Sequence, residues 1–73
     1  MSAAVVERKI EGANRTVLAG ELGLSRGYVS QVLAGKREPG LGVAKRLAGK
    51  LGVTVDAFAE WLEKKGGEVE PVN

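Results

Sequence analysis

The sequence predicts an all-α fold of five short helices, and three observations support this. Apolar residues recur at spacings of three and four along most of the chain, which is the period of a helix with one buried face. Nearly every such segment follows a capping residue and ends at a glycine. Hydrophobic residues make up 44% of the 73 residues but only three are aromatic, which favours an Ala, Val and Leu core between helices over a sandwich or barrel.

The first two helices are each bounded by a capping residue and a glycine. Ser2 opens the first helix, which extends to about Glu11, and Gly12 ends it. Asn14 opens the second, and Gly23 ends it where a left-handed residue is favoured. The apolar residues on the inner faces are Val6 and Ile10 in the first helix, and Leu18, Ala19 and Leu22 in the second.

The third helix begins at Ser25 and ends at Gly35, before the polar loop 36–39. Only Gly23, Leu24 and Ser25 link it to the second helix, so the two helices are expected to cross steeply, with Leu24 filling the space beneath the turn. The inward residues are Val29, Val32 and Leu33. The outward residues, which have no packing duty, are Arg26, Gly27, Tyr28, Ser30 and Gln31. A helix displayed in this way fits the major groove of B-DNA.

Two more helices complete the predicted core. The fourth begins at about Gly40 and ends at Gly52, and Thr54 caps the fifth. Their inward residues are Val43, Ala44, Leu47, Ala48 and Leu51 in the fourth, and Val55, Phe58, Ala59 and Leu62 in the fifth. We therefore expect one domain over residues 1–65 and a flexible C-terminal tail over residues 66–73.

Charge is unevenly distributed although the net charge is only +2. Residues 1–53 hold nine Lys or Arg against four Glu, whereas residues 54–73 hold two Lys against five acidic residues. A basic body with an acidic end suits a protein that presents one face to a polyanion, although scattered charges would also serve solubility alone. No apolar run reaches a membrane span and residues 1–10 do not resemble a signal peptide, so a cytoplasmic location is expected.

The second and third helices and their flanks carry a family resemblance. The relevant segments are LAGELGLS at 18–25, VSQV at 29–32, GKREP at 35–39 and LGVTVD at 51–56. Together they resemble the Cro/CI-type (Xre) helix-turn-helix family of phage repressors and bacterial regulators. The resemblance implies a compact five-helix, lambda-repressor-like domain that binds operator DNA. Arg15 stands where the family usually has Gln, and a direct phosphate contact is expected there.

Four residues of the third helix are the candidates for contact with DNA bases. Arg26 lies in the first turn, where a guanidinium can bind guanine through two hydrogen bonds; a phosphate contact or a solvated side chain is the alternative. Gln31 can pair with adenine, or be an ordinary surface residue. Tyr28 can pack on a thymine methyl, or cover the helix edge. Gly27 either lets the backbone approach DNA closely or is merely tolerated.

Phosphate contacts are expected beside the groove. Lys36 and Arg37 directly follow the third helix, where two cations can neutralise phosphates. Ser30 is a weaker candidate on the same helix. With Arg15, these four residues form the expected phosphate set, whereas Lys45, Arg46 and Lys50 are expected to form mainly a solvated face.

Trp61 is the only tryptophan and lies beside the inward stripe of the fifth helix. One interpretation places it in a dimer contact, since a two-fold operator requires two subunits. The other folds it over the first helix to complete the core. A homodimer on double-stranded DNA is expected, with Trp61 as its candidate contact.

Composition argues against catalysis and cofactors. The chain has no Cys and no His, and it lacks a phosphate-binding glycine loop in a strand-turn-helix context. We therefore expect no enzyme activity, metal, cofactor, small-molecule ligand or membrane partner. The rival hypothesis is a protein-interaction role, such as an antitoxin that binds a toxin. An antitoxin usually needs a longer segment to wrap its partner than the eight residues after Lys65.

Overall fold

The computed structural model describes residues 2–68, and these residues form five α-helices and no strand. The helices are α1 (Ala3–Glu11), α2 (Arg15–Leu22), α3 (Arg26–Leu33), α4 (Leu41–Leu51) and α5 (Val55–Glu68). This confirms the all-α class and the helix order that the sequence predicts.

Side-chain caps begin four of the helices. The Oγ atoms of Ser2 and Ser25 accept hydrogen bonds from the backbone N–H groups of Val5 and Tyr28, at 3.4 and 3.1 Å. Asn14 and Thr54 cap α2 and α5 in the same way. Such a cap satisfies a backbone donor that has no partner within its own helix, and losing one typically costs about 1 kcal/mol. Gly40 precedes α4 without a side-chain bond.

One core joins all five helices. α2 packs on α3, while α1 packs on α4 and α5, and α4 also contacts α2 and α5. The fully buried side chains at its centre are Val6, Val29, Val32, Leu47 and Phe58. No polar or charged residue among those described is buried, so the core is held by apolar packing alone. Leu24, expected in the core, is half-buried at its edge.

The inner face of α5 differs from the predicted one. Ala57, Phe58 and Trp61 are buried, Val55 and Leu62 are only partly so, and Ala59 is exposed. Helical spacing alone allows either stripe, and packing of the large indole selects the one that contains Trp61. α5 also continues to Glu68, past the expected end at residue 65. The rest of the expected tail, residues 69–73, lies outside the described residues.

Trp61 is a core residue and is only 2% exposed. Its ring stacks on Phe58 with centroids 6.0 Å apart, and its indole N–H donates to a carboxylate oxygen of Glu7 on α1. The ring therefore folds over the first helix, and its surface is taken up within the subunit. This arrangement is the second of the two interpretations, in which Trp61 folds over the first helix to complete the core.

Candidate nucleic-acid interface

The turn between α2 and α3 sets the position of the third helix. Gly23 has φ +68°, a left-handed conformation that glycine adopts without steric cost. The next backbone N–H, of Leu24, donates to the Ala19 carbonyl at 2.9 Å and closes the end of α2. Ser25 then opens α3 only two residues after the turn. The two helices are thus joined by a short connection that contains a left-handed glycine and a backbone hydrogen bond from Leu24.

Packing holds α3 by one side only. Val29 and Val32 are fully buried and Leu33 is 3% exposed. The opposite side is the candidate surface, which we call the outward face of α3 and define as Arg26, Gly27, Tyr28, Ser30 and Gln31. Arg26, Gly27 and Gln31 are exposed, whereas Tyr28 and Ser30 are half-buried. Three of the four candidates for base contact, Arg26, Gly27 and Gln31, are therefore exposed on α3, whereas the fourth, Tyr28, packs partly against the core.

Gly27 leaves a gap in the outward face. A Cβ atom at this position would have no heavy atom within 4 Å inside the protein, apart from its own helix and chain neighbours. Nothing in the subunit therefore requires a glycine here. A Gly in a helix interior costs about 1 kcal/mol relative to Ala, so this position gives up stability without a gain in internal packing.

The segment after α3 places two cations beside this face. The N–H of Lys36 donates to the Gln31 carbonyl at 2.9 Å, which ties the start of the loop to the end of the helix. Lys36 and Arg37 are both exposed. The Arg37 guanidinium lies 5.2 Å from the ring centroid of Tyr28, within the range of a cation–π contact. Arg37 thus contacts the outward face and contributes a positive charge at its edge.

Arg15 is the first residue of α2, at the end of this helix that is far from the turn, and it is half-buried. Before it, the Asn14 side chain accepts hydrogen bonds from the N–H groups of Thr16 and Val17 at 2.9 and 3.1 Å. The start of α2 therefore combines a cation with the positive end of a helix dipole. An anion is favoured at such a position.

Two contacts that the sequence did not predict connect α2 to α4. A guanidinium nitrogen of Arg46 donates to the Leu22 carbonyl at 3.2 Å, next to the turn. The Lys50 ammonium is 2.8 Å from a carboxylate oxygen of Glu21. Both cations were expected to form mainly a solvated face, and both are exposed. Arg46 also satisfies a carbonyl at the end of α2, where a positive charge is favoured by the helix dipole.

Glu7 joins α1 to α5 through two polar contacts. Its carboxylate accepts from the Trp61 indole and lies 3.2 Å from the Lys65 ammonium. The hydrogen bond from Trp61 lowers the pKa of Glu7 below its ordinary value of 4.5; desolvation opposes this shift, and the hydrogen bond and charge of Lys65 lower the pKa further. This site is structural, because its polar groups satisfy one another.

Residues 2–68 contain no cluster of His, Cys, Asp and Glu that could hold a metal ion. In the same range, no helix has the length and apolar content that a membrane span requires.

Comparison with known proteins supports the geometry of the turn and the two helices. The chain matches a family model described as Helix-turn-helix over residues 7–58, more than half of its length. The match contains α2, α3, the loop after α3 and all the residues of the outward face. Neither the curated proteins nor the solved structures gave a significant match.

Proposed function

The chain belongs to the Cro/CI-type (Xre) helix-turn-helix family, and we propose that it is a sequence-specific transcriptional regulator that acts as a repressor in the cytoplasm. Family membership supports a DNA-binding regulatory role, and this family is not typically enzymatic. Repression follows from the simplest use of such a domain, since a protein bound at an operator blocks other proteins from the same DNA. The main observation that supports the proposal is the outward face of α3. The other side of this helix is buried in the core, whereas this face is largely free of packing within the protein.

In this proposal α3 enters the major groove and four residues meet base edges. Arg26, in the first turn, donates two hydrogen bonds to a guanine, the commonest specific contact for arginine. Gln31, one turn further along, pairs with an adenine. Tyr28 packs on a thymine methyl group, and Gly27 lets the helix backbone come close to the bases. The exposure of Arg26, Gly27 and Gln31 supports these roles.

Four further residues contact phosphates and set the orientation of α3. Lys36 and Arg37 lie on one flank of the groove, Arg15 lies at the start of α2, and Ser30 contributes a hydroxyl from α3. Stacking on Tyr28 leaves the N–H edges of the Arg37 guanidinium available to phosphate oxygens. Such contacts add affinity for any sequence and weaken as salt rises.

Two copies of the chain are expected on one operator. A single recognition helix reads only a few base pairs, which is too few to select one site in a genome. Two subunits on half-sites about 34 Å apart double the sequence that is read. We therefore propose that the protein binds a two-fold operator as a homodimer.

The direct test is selection of bound sequences from a random double-stranded DNA library. The proposal predicts an enriched motif of two inverted half-sites, centred about one helical turn apart. Enrichment of a single half-site would contradict the homodimer but keep the DNA-binding assignment. Recovery of a random pool, with no motif, would contradict sequence-specific regulation.

A further inference from the structure

A groove next to the outward face of α3 shares Lys36 and Arg37 with the proposed phosphate contacts, but its apolar lining takes no part in them. It has a volume of about 540 Å³ and lies between the loop after α3, the start of α4 and the outer side of α5. We call it the Leu41 groove. Its apolar lining includes Pro39, Leu41, Ala44, Ala59 and Leu62.

Leu41 is the most exposed large apolar side chain among the described residues, at 68%. It is the first residue of α4, a position where a polar residue would serve the helix equally well. A lone exposed leucine needs no explanation. Leu41, however, stands at the rim of a groove whose floor includes exposed Ala59 and half-buried Leu62, so the apolar surface is continuous.

We propose that the Leu41 groove is the contact between two copies of this chain, with Leu41 of each copy inserted into the groove of the other. This inference rests on the proposed function, to which it adds the surface that pairs the subunits. In an isologous contact one patch must be complementary to itself. A protruding apolar side chain beside an apolar groove on the same chain meets that condition, because a two-fold axis places each opposite the other.

The charges around the groove also favour a second copy over a strongly charged partner. Lys36 and Arg37 line one side, and Glu38 and Glu63 are also among the lining residues. Two identical rims related by a two-fold axis can therefore place opposite charges across from each other. An acidic or a basic partner would meet charges of its own sign instead.

The position of the groove agrees with pairing on DNA. It begins at Gly35, directly after α3, and includes residues 36–39 that follow the recognition helix. A two-fold contact here brings the C-terminal ends of the two α3 helices towards each other. The subunits then present both outward faces to one duplex, as binding to inverted half-sites requires.

The size of the patch predicts a weak contact in the free protein. The described chain exposes 4686 Å², and a standard interface takes about 800 Å² from each partner, roughly a sixth of that surface. The groove and its rim are only one part of one side of the molecule. We expect dimers that dissociate in the micromolar to millimolar range and are completed on DNA, where one bound copy raises the local concentration of the other.

The test compares Leu41→Gln with Val17→Gln as a matched control. Val17 is the other exposed large apolar residue in the part of the chain that the structure describes; it is 52% exposed, lies on α2 and does not line the groove. Both changes replace an exposed apolar side chain by an uncharged polar one, so folding should be unaffected, as circular dichroism can verify. Sedimentation equilibrium up to about 1 mM measures self-association without DNA. Binding to duplexes that carry one or two copies of the selected half-site measures cooperativity.

The proposal predicts that Leu41→Gln weakens self-association or cooperative binding about tenfold, whereas Val17→Gln leaves self-association unchanged. Binding of Leu41→Gln to a single half-site should equal that of the wild type. Equal effects of both changes on self-association would overturn the proposal, as would a wild-type protein that neither self-associates nor binds two half-sites cooperatively. Failure of the wild type to bind any selected duplex would contradict the proposed function instead, and the sedimentation result would still decide the interface.

Discussion

At the residue scale, the side chains of α3 differ in what holds them before DNA is bound. Arg26 and Gln31 are exposed, so their contacts in the complex depend on the base pairs that they meet. Tyr28 is half-buried and has the Arg37 guanidinium over its ring, which limits the directions in which the phenol can point. The outward face therefore combines adaptable side chains with one aromatic ring that is positioned in advance.

Gly27 offers a test in which stability and binding change in opposite directions. Gly27→Ala adds a methyl group in open space and should raise the free energy of unfolding by about 0.5–1 kcal/mol. The same methyl group should weaken DNA binding, because in the proposed complex the α3 backbone approaches the bases at this point. Urea denaturation and a DNA titration measure the two effects.

Gly49→Ala is the matched control for this change. Gly49 also lies within a helix, α4, with no heavy atom within 4 Å of an added Cβ. Its substitution should give a similar gain in stability with unaltered DNA binding. If Gly27→Ala bound DNA as tightly as Gly49→Ala, close approach at Gly27 would be wrong.

At the element scale, the helix boundaries were predictable and the contacts between helices were not. Ser25, Gly23 and Asn14 act on groups within five residues of themselves, so their roles follow from local sequence alone. The hydrogen bond from Arg46 joins residues 24 positions apart, and that from Trp61 spans 54 positions. No spacing rule reports such pairs. The rotation of α5 was missed for the same reason, since it depends on what Trp61 meets on α1.

In the candidate site, too, local features follow from the sequence, whereas contacts between distant residues do not. The third helix follows from a short turn and a local apolar stripe, and the sequence alone predicts that Arg26, Gly27 and Gln31 are exposed on it. The support of the turn by Arg46 and the stacking of Arg37 on Tyr28 depend on tertiary geometry. Which of these side chains contacts bases and which contacts phosphates stays a prediction, because DNA decides it.

Gly35 follows α3 and lies close to α5, so its replacement tests how closely the chain after α3 packs on α5. Its φ of +76° is strained for any residue with a Cβ atom. A Cβ here would also lie 2.5 Å from Cβ of Lys65 and 3.1 Å from the Lys65 carbonyl carbon. We expect Gly35→Ala to lower the free energy of unfolding by about 2–4 kcal/mol, from backbone strain and overpacking together.

Gly52→Ala separates the two contributions. Gly52 has nearly the same φ, +75°, but nothing lies within 4 Å of its added Cβ. Gly52→Ala should lower the free energy of unfolding through backbone strain alone, by about 1–2 kcal/mol. Equal losses in the two variants, measured by urea denaturation, would show that the loop after α3 does not press on α5.

At the scale of the whole molecule, the candidate recognition surface and the polar link between α1 and α5 use different helices around one core. α3 carries the outward face, while Glu7, Trp61 and Lys65 link α1 to α5. Because Trp61 is buried within the subunit, its fluorescence should report unfolding of the chain rather than association of two chains.

Glu7 predicts a specific acid sensitivity. Its pKa is lowered in the folded state by the Trp61 hydrogen bond and by Lys65, so its ionised form stabilises the fold above the ordinary value of 4.5. That contribution should be lost as the pH falls from there through the lower folded-state pKa. The free energy of unfolding of Glu7→Gln, from urea denaturation between pH 6 and 2.5, should therefore fall less over this range than that of the wild type. Parallel curves would contradict the role of Glu7.

The central claim is that α3 reads sequence while the loop after it supplies general affinity. The most direct measurement is the ratio of affinities for the selected duplex and a random duplex, in the wild type, Arg26→Ala and Lys36→Ala. Arg26→Ala should lose about 1–3 kcal/mol on the selected duplex, with a much smaller loss on random DNA, and should relax the preference at one base pair. Lys36→Ala should weaken both duplexes alike and make the salt dependence shallower by about one. If Arg26→Ala left the ratio unchanged, the base contact assigned to this residue would be wrong.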